Sequence, residues 1–136
     1  MNREIASKLK ILNALDIQTI SSDTTTNGEI IDLQNYDACL FVFQTGTLTD
    51  GDYTVLIQEG DAANLSDAAA VADSDLTATE ASVSFTADTD DNAISKIGYL
   101  GTKRYVRFNV VSTSTSSGAV VGATAILGYA NLEPLS

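Results

Sequence analysis

The sequence predicts an all-β fold: a β-sandwich or jelly-roll-like barrel of six to eight mostly antiparallel strands, with a short N-terminal helix or arm. Three observations support this fold class. Apolar and polar residues alternate with a period of two in several segments, turn-forming pairs such as Asp50-Gly51 separate the apolar runs, and no strand-helix-strand rhythm is present. A chain of 136 residues is long enough for one domain with its own packed core.

The periodicity divides the chain into an N-terminal helix or arm over residues 1–23, a β domain over 24–130 and a C-terminal tail over 131–136. In the first segment Ile5, Leu9, Leu12 and Leu15 follow at spacings of four, three and three, and Asn2 can serve as an N-cap. This pattern indicates a short amphipathic helix or arm. It either packs on its own domain or docks its apolar stripe on a neighbouring subunit, and the sequence leaves both interpretations open.

The centre of the β domain begins with the near-continuous apolar run from Tyr36 to Phe43, which predicts a strand covered on both faces. The second face would be covered by the N-terminal helix or by a partner. Asp50-Gly51 predicts that strands near 37–45 and 53–59 pair as a hairpin. Cys39, within the first of these strands, is expected to be a small buried apolar residue.

The remaining segments predict a long surface loop followed by further strands. Residues 60–80 form the loop, with one helical turn near Asp67–Val71. Residues 98–101 are expected to form a turn, and residues 119–129 form a long strand. Between these two segments Val106, Phe108 and Val110 are predicted to point inward, and Tyr105, Arg107 and Asn109 outward.

The composition excludes several kinds of catalysis. The chain has no histidine, so it cannot build a Ser-His-Asp or Cys-His centre or a zinc-histidine site, and its single cysteine cannot form an intrachain disulfide. We expect no enzymatic activity, no catalytic residues, no cofactor and no bound metal. With no leader-like segment in this sequence, we expect folding in a reducing cytoplasm.

Two kinds of acidic motif are candidate sites. Asp88-x-Asp90-x-Asn92 matches the first ligand positions of a calcium loop, but Ala93 and Tyr99 stand where a glycine and a bidentate glutamate are needed. The pairs Asp50-x-Asp52 and Asp73-x-Asp75 are more typical of turns in which carboxylates cap backbone N–H groups.

Charge is distributed very unevenly along the chain. Seven Lys and Arg against 18 Asp and Glu give a net charge of −11, and all seven cations fall within residues 3–10 and 96–107. The acids either keep exposed loops soluble or belong to a polarised molecule that docks its cationic side on an acidic protein. Likewise, the cations that follow Gly101 either bind an acidic partner or neutralise acidic loops of their own chain. A pI near 4.1 argues against nucleic acid and anionic membranes as partners.

Four segments resemble a family of small proteins encoded among the head genes of tailed bacteriophages and prophages. They are residues 49–61, 72–76, 96–107 and 118–129, the most specific being Lys-x-Gly-Tyr-x-Gly-x-Lys-Arg-Tyr-Val-Arg from Lys96 to Arg107. The chain departs from a common form of this family, in which a Gly-His-Pro-like segment follows the last strand, because here it reads Gly128-Tyr129-Ala130.

This resemblance implies a structural virion protein: a capsid decoration or cement protein, assembled in the host bacterial cytoplasm, on the outer capsid surface. Its expected partners are the major capsid protein and further copies of itself, as a dimer or trimer. The expected contact residues are Arg3, Ile5, Lys8, Leu9, Lys10, Leu12, Arg104 and Arg107. Alternatives are a head-tail connector, a tail-tube or fibre-base protein, or a surface module that binds carbohydrate or a receptor through exposed tyrosines.

Overall fold

The structure is a computed structural model that describes residues 3–85 and 90–130. These residues form eight strands and three short 3-10 helices, which confirms the all-β prediction. The strands are β1 (Lys10–Ile20), β2 (Thr25–Asp32), β3 (Tyr36–Leu48), β4 (Asp52–Gly60), β5 (Ala69–Ala70), β6 (Ile94–Tyr99), β7 (Tyr105–Thr113) and β8 (Ala119–Ala130). The 3-10 helices are Ala6–Lys8, Asp73–Asp75 and Glu80–Val83.

The strands form two four-stranded antiparallel sheets with a jelly-roll order. One sheet has the order β1-β8-β3-β6 and the other β2-β7-β4-β5. The pairs β1·β8, β2·β7, β3·β6 and β4·β5 show that the first half of the chain pairs with the second half, like a long hairpin rolled into two layers. Within each half, consecutive strands therefore alternate between the sheets, as in jelly rolls.

The predicted hairpin between residues 37–45 and 53–59 is wrong. Strand β3 lies between β8 and β6, whereas β4 lies in the other sheet between β7 and β5. The Asp50-Gly51 turn carries the chain from one sheet to the other, with Gly51 at a φ of 96°. The turn reverses the chain as expected, but the two strands join different sheets, and each buries its inner face in the core between the sheets instead of sharing an edge with the other.

Aromatic side chains fill the space between the sheets. Phe41 and Phe43 of β3 meet Phe108 of β7 with ring centroids 5.5 and 5.3 Å apart, and Phe85 stacks on Phe43 at 4.6 Å. Val106, Phe108 and Val110 have no exposed surface, which confirms their predicted inward direction.

The N-terminal segment differs from the predicted helix. Only Ala6–Lys8 forms a helical turn, and Lys10–Ile20 is a strand of the sandwich, so it belongs with the β domain. Register shifts between Asn13 and Leu15 and between Leu15 and Gln18 mark bulges in β1. A bulge breaks the alternation of a strand and places inward residues three positions apart, which imitates a helical spacing.

Residues 61–85 do more than form a surface loop. The predicted helical turn near Asp67–Val71 is absent, and the two-residue strand β5 is found there instead. The segment buries Leu65, Val71 and Leu76 and covers the outer edge of β4: Val71 N donates to Ile57 O (2.9 Å), and Ile57 N donates to the Glu80 carboxylate (2.5 Å). An edge strand covered in this way offers fewer unpaired backbone groups to other chains.

Candidate interaction surfaces

Six of the seven cations lie at one end of the sandwich. The registers place the start of β1, the start of β7 and the end of β8 at this end, together with the connections 33–35, 61–68 and 100–104. We call it the basic end for its cations, although acids such as Glu4, Asp32, Asp61 and Asp67 lie there too. Its cations are Arg3, Lys8, Lys10, Lys103, Arg104 and Arg107, whereas Lys96 lies within β6. The two cationic stretches of the sequence therefore converge, as the polarised-molecule interpretation requires.

Two of these cations neutralise acids of their own chain. Arg104 donates from Nε and Nη2 to the two carboxylate oxygens of Asp32, both at 2.9 Å, and Nη2 also reaches Gln34 Oε1 at 2.7 Å. Lys103 Nζ lies 2.9 Å from Asp61. The hydrogen bond with Arg104 lowers the pKa of Asp32. For this pair of cations, the interpretation that they neutralise their own loops is confirmed.

The N-terminal segment is the more accessible part of the basic end. Arg3, Ile5 and Lys8 are exposed, Leu9 and Lys10 are half-buried, and Leu12 packs against the core. The Glu4 carboxylate accepts hydrogen bonds from the Ser7 backbone N–H and hydroxyl, which lower its pKa and fold the segment into a turn. Of the predicted contact residues, Leu12 is thus a core residue and the others of this segment remain at the surface.

Arg107 is held by a polar network on the outer side of the second sheet. Its Nη2 donates to Gln58 Oε1 (2.7 Å), and its buried Nε has no hydrogen-bond partner. Asn109 points the same way, as predicted, yet is completely buried because it bonds Gln58 (2.9 Å) and the Gly28 N–H (3.3 Å). The bulge in β2 at Asn27–Ile30 brings Gly28 over this side chain. Arg107 is therefore less available for a partner than its sequence position indicates.

The opposite end of the sandwich carries four described acids and no described cation. We call it the acidic end; it contains the connections 21–24, 49–51 and 114–118 and residues 90–93. The Asp50 carboxylate accepts hydrogen bonds from the N–H groups of Ser116, Ser117 and Gly118 and from the Ser116 hydroxyl. These bonds lower the pKa of Asp50 strongly. The prediction that this carboxylate caps backbone N–H groups is confirmed.

The calcium-like motif joins the acidic end to β3. Asp91 accepts a hydrogen bond from Leu48 N (2.7 Å), Asp90 O accepts one from the Thr45 hydroxyl (2.7 Å), and Asn92 has a φ of 54°. Asp88 lies outside the described residues. Within the described ranges, no group of three or more acidic or cysteine side chains is arranged to hold a metal ion.

Burial makes Cys39 a core residue. It is 6% exposed, and desolvation raises the pKa of its thiol to about 12. The sequence interpretation of a small buried apolar residue is confirmed.

The tyrosines do not form one exposed cluster. Tyr53 and Tyr99 are buried, Tyr36 and Tyr105 are half-buried, and Tyr129 is exposed at the basic end. Burial raises the pKa of Tyr99 to about 12, and its hydroxyl accepts a hydrogen bond from Lys103 N (3.1 Å). Tyr99 thus supports the 100–104 connection, which leaves fewer rings for stacking on a sugar.

The outer face of the β1-β8-β3-β6 sheet is apolar, and sequence reasoning located only part of it. On β3 the outward residues Ala38, Leu40 and Val42 are half-buried. The N-terminal segment covers one end of this face, where Leu9 lies against Gly128, the β8 neighbour of Ala38. Their neighbours on β8 are Gly128, Ile126 and Thr124, and Ile11 follows beyond Ile126 on β1. The run of β3 is apolar at the positions of both faces, and this pattern indicated the outer face. The bulges in β1 disturb its alternation, so the sequence did not show that β1 contributes to the same face.

Comparisons with known proteins give little further information. No family model and no curated protein matches the chain. Among solved structures, the "Structure of infectious bursal disease virus Gx strain" is similar over 93% of this chain and 33% of that one, with 14% sequence identity and a TM-score of 0.44. The chain thus spans about a third of that chain's length. A likeness this distant does not bear on function. In the described residues, no helix is long and apolar enough to cross a membrane.

Proposed function

We propose that the chain is a non-enzymatic structural virion protein that decorates the outer capsid surface and bridges major capsid subunits. The observation that carries the proposal is the convergence of six cations at one end of the sandwich, opposite an end with only acids among its described charges. The choice of the major capsid protein as the partner rests on the resemblance of four segments of this chain to phage head proteins. The jelly-roll fold is compatible with this role, although the same fold also occurs in lectins and cupins.

Charge complementarity sets the orientation. Arg3 and Lys8 precede the first strand, and Lys10 begins it. Glu4 is the only acid of this segment, so this part of the surface suits an acidic patch on a capsid subunit. The acidic end then points away from the shell. Repetition over a capsid lattice multiplies modest contacts by avidity, so no single contact has to be strong.

The test uses expanded capsids assembled without this protein. We compare the wild type with the double variant Lys8→Gln/Lys10→Gln and with the control Thr25→Glu/Thr54→Glu, which adds the same negative charge at exposed sites on the outer side of the second sheet. Co-sedimentation should show weaker binding of the lysine variant, most strongly at low salt, and unchanged binding of the control. Equal binding by the lysine variant and the wild type would contradict docking through the basic end.

Electron microscopy of the decorated particles tests the location. Regular density over the whole shell, with the N-terminal segment against the capsid, is the expected result. Density at a single vertex, or binding to tails alone, would instead identify a connector or tail component and would overturn the decoration role.

A further inference from the structure

The outer face of the β1-β8-β3-β6 sheet is apolar, in contrast to the acidic character of the molecule as a whole. Three of the exposed large apolar side chains lie on it: Ile11 is 59%, Ile17 81% and Ile94 65% exposed. The outward positions of the four strands carry one charged side chain, Lys96, and no acid. Asp16 lies at the rim, in the bulge of β1, where its carboxylate accepts a hydrogen bond from Asn13.

We propose that this face is the interface between two copies of the chain, packed sheet on sheet about a two-fold axis that runs along the strands. The proposal does not depend on the proposed function. A chain with a net charge of −11 repels its own copies over most of its surface. When two copies pack through this face, no row of acids of one copy lies against a row of acids of the other.

The size of the face is sufficient for a specific dimer. Four strands about 4.8 Å apart and outward residues about 6.8 Å apart along each strand cover roughly 500 Å² per copy over the four rows from Leu40 to Gly46. The Ala38–Gly128 row is left out because Leu9 lies on it. Two copies therefore bury on the order of 1,000 Å², the lower bound of a specific interface.

The rim charges select the orientation of the two copies. Strands β1 and β6 are the opposite edges of this sheet, so a two-fold axis along the strands places β1 of one copy over β6 of its partner. Asp16 on β1 then faces Lys96 on β6, and the pair forms on both sides of the dimer. A two-fold axis across the strands would instead place Asp16 of one copy near Asp16 of the other copy.

The first experiment is sedimentation equilibrium of the full chain and two matched variants. Thr124→Glu places a charge at the centre of the face, between Asn13 and Val42, and Thr54→Glu places the same charge at an exposed outward position on the other sheet. We expect a wild-type dimer, a dimer dissociation constant raised at least about 100-fold by Thr124→Glu, and no change for Thr54→Glu. A wild type that stays monomeric across the micromolar range would overturn the proposal, as would equal effects of the two variants.

Three further single variants and one double variant guard against misfolding and test the orientation. Ile17→Glu changes a side chain so exposed that folding does not depend on it, and it should also weaken the dimer. Asp16→Lys and Lys96→Asp should each weaken the dimer, and their combination should restore it. Failure of Ile17→Glu to weaken the dimer would contradict the interface, and a double variant that stays dissociated would contradict the two-fold axis along the strands.

Discussion

Arg104 and Asp32 form a bidentate ion pair that ties the end of β2 to the start of β7. Both nitrogen-oxygen distances are 2.9 Å, and the guanidinium also lies over the ring of Tyr105 at 4.9 Å. The pair closes the basic end across two neighbouring strands. It shows that cations at the same end of the fold can serve different purposes, because Arg104 is paired with Asp32 of its own chain while Arg3 lies in the exposed N-terminal segment.

Replacement of Arg104 by lysine should lower the stability slightly, because an ammonium group cannot reproduce the planar two-point contact with Asp32. The Asp32 carboxyl has a lowered pKa in the folded state, so its contribution is present above its unfolded pKa and is lost as the pH falls through the folded one. Urea denaturation at pH 7 should therefore separate the variant from the wild type more clearly than at pH 3. A difference that grows towards low pH would contradict this assignment.

Asp50→Asn should destabilise the acidic end at neutral pH. The Asp50 carboxylate accepts bonds from three backbone N–H groups of the β7–β8 connection, and the amide provides one acceptor oxygen instead of two. Since the folded pKa of Asp50 is lowered, the wild-type advantage is present above the unfolded pKa and is lost as the pH falls through the folded value. Melting curves between pH 7 and pH 2 measure it. Asp52→Asn, at a neighbouring acid, is the matched control.

The sequence predicts strands better than it predicts their partners. Alternation located the inward side chains of β7 correctly, because hydrophobic burial is a local property of each strand. The pairing of β3 and β4 failed because turn chemistry reports a reversal of the chain and cannot show whether the next strand joins the same sheet. The predicted N-terminal helix failed beyond Lys8 because bulges in β1 disturb the period of two.

The interaction surfaces were predicted in part for similar reasons. The convergence of the cations was one of two open interpretations, since only the sheet registers bring Lys10 and Arg104 to one end. The burial of Asn109 was not predicted, because it depends on the backbone of Gly28 from a strand 81 residues away. Such long-range contacts leave no local signal in the chain.

Glu80→Gln should stabilise the protein at neutral pH. The Glu80 carboxylate accepts a hydrogen bond from Ile57 N, but desolvation by burial is the largest effect on it and raises its pKa. A raised carboxyl pKa means that the charged form is disfavoured by folding, so stability rises as the pH falls through the folded value. A glutamine keeps an acceptor without the charge. The melting temperature should therefore rise at pH 7 and match the wild type near pH 4, and a lower melting temperature at pH 7 would contradict the prediction.

Asn109→Leu should cost about 1–3 kcal/mol of unfolding free energy, because it leaves the Gly28 N–H without its partner in a buried site and removes one of the two donors to Gln58 Oε1. Chemical denaturation measures the loss. Arg107→Leu is the matched comparison on the same strand and should cost less, since its buried Nε already lacks a partner. Equal losses in the two variants would show that the network does not depend on Asn109.

Gly28→Ala should be among the most damaging single-methyl changes in the chain. A Cβ at this position would lie 2.1 Å from Ala14 O and 2.2 Å from Phe108 O, and both are backbone atoms that cannot rotate away. The change would force β1 or β7 to move where β2 crosses between them, at a cost of about 3 kcal/mol or more. Gly46→Ala is the control, because its Cβ would meet only the side chain of Val120 at 3.3 Å. Denaturation midpoints should fall sharply for Gly28→Ala and little for Gly46→Ala. The reversed order would contradict the close packing of β2 against β1 and β7.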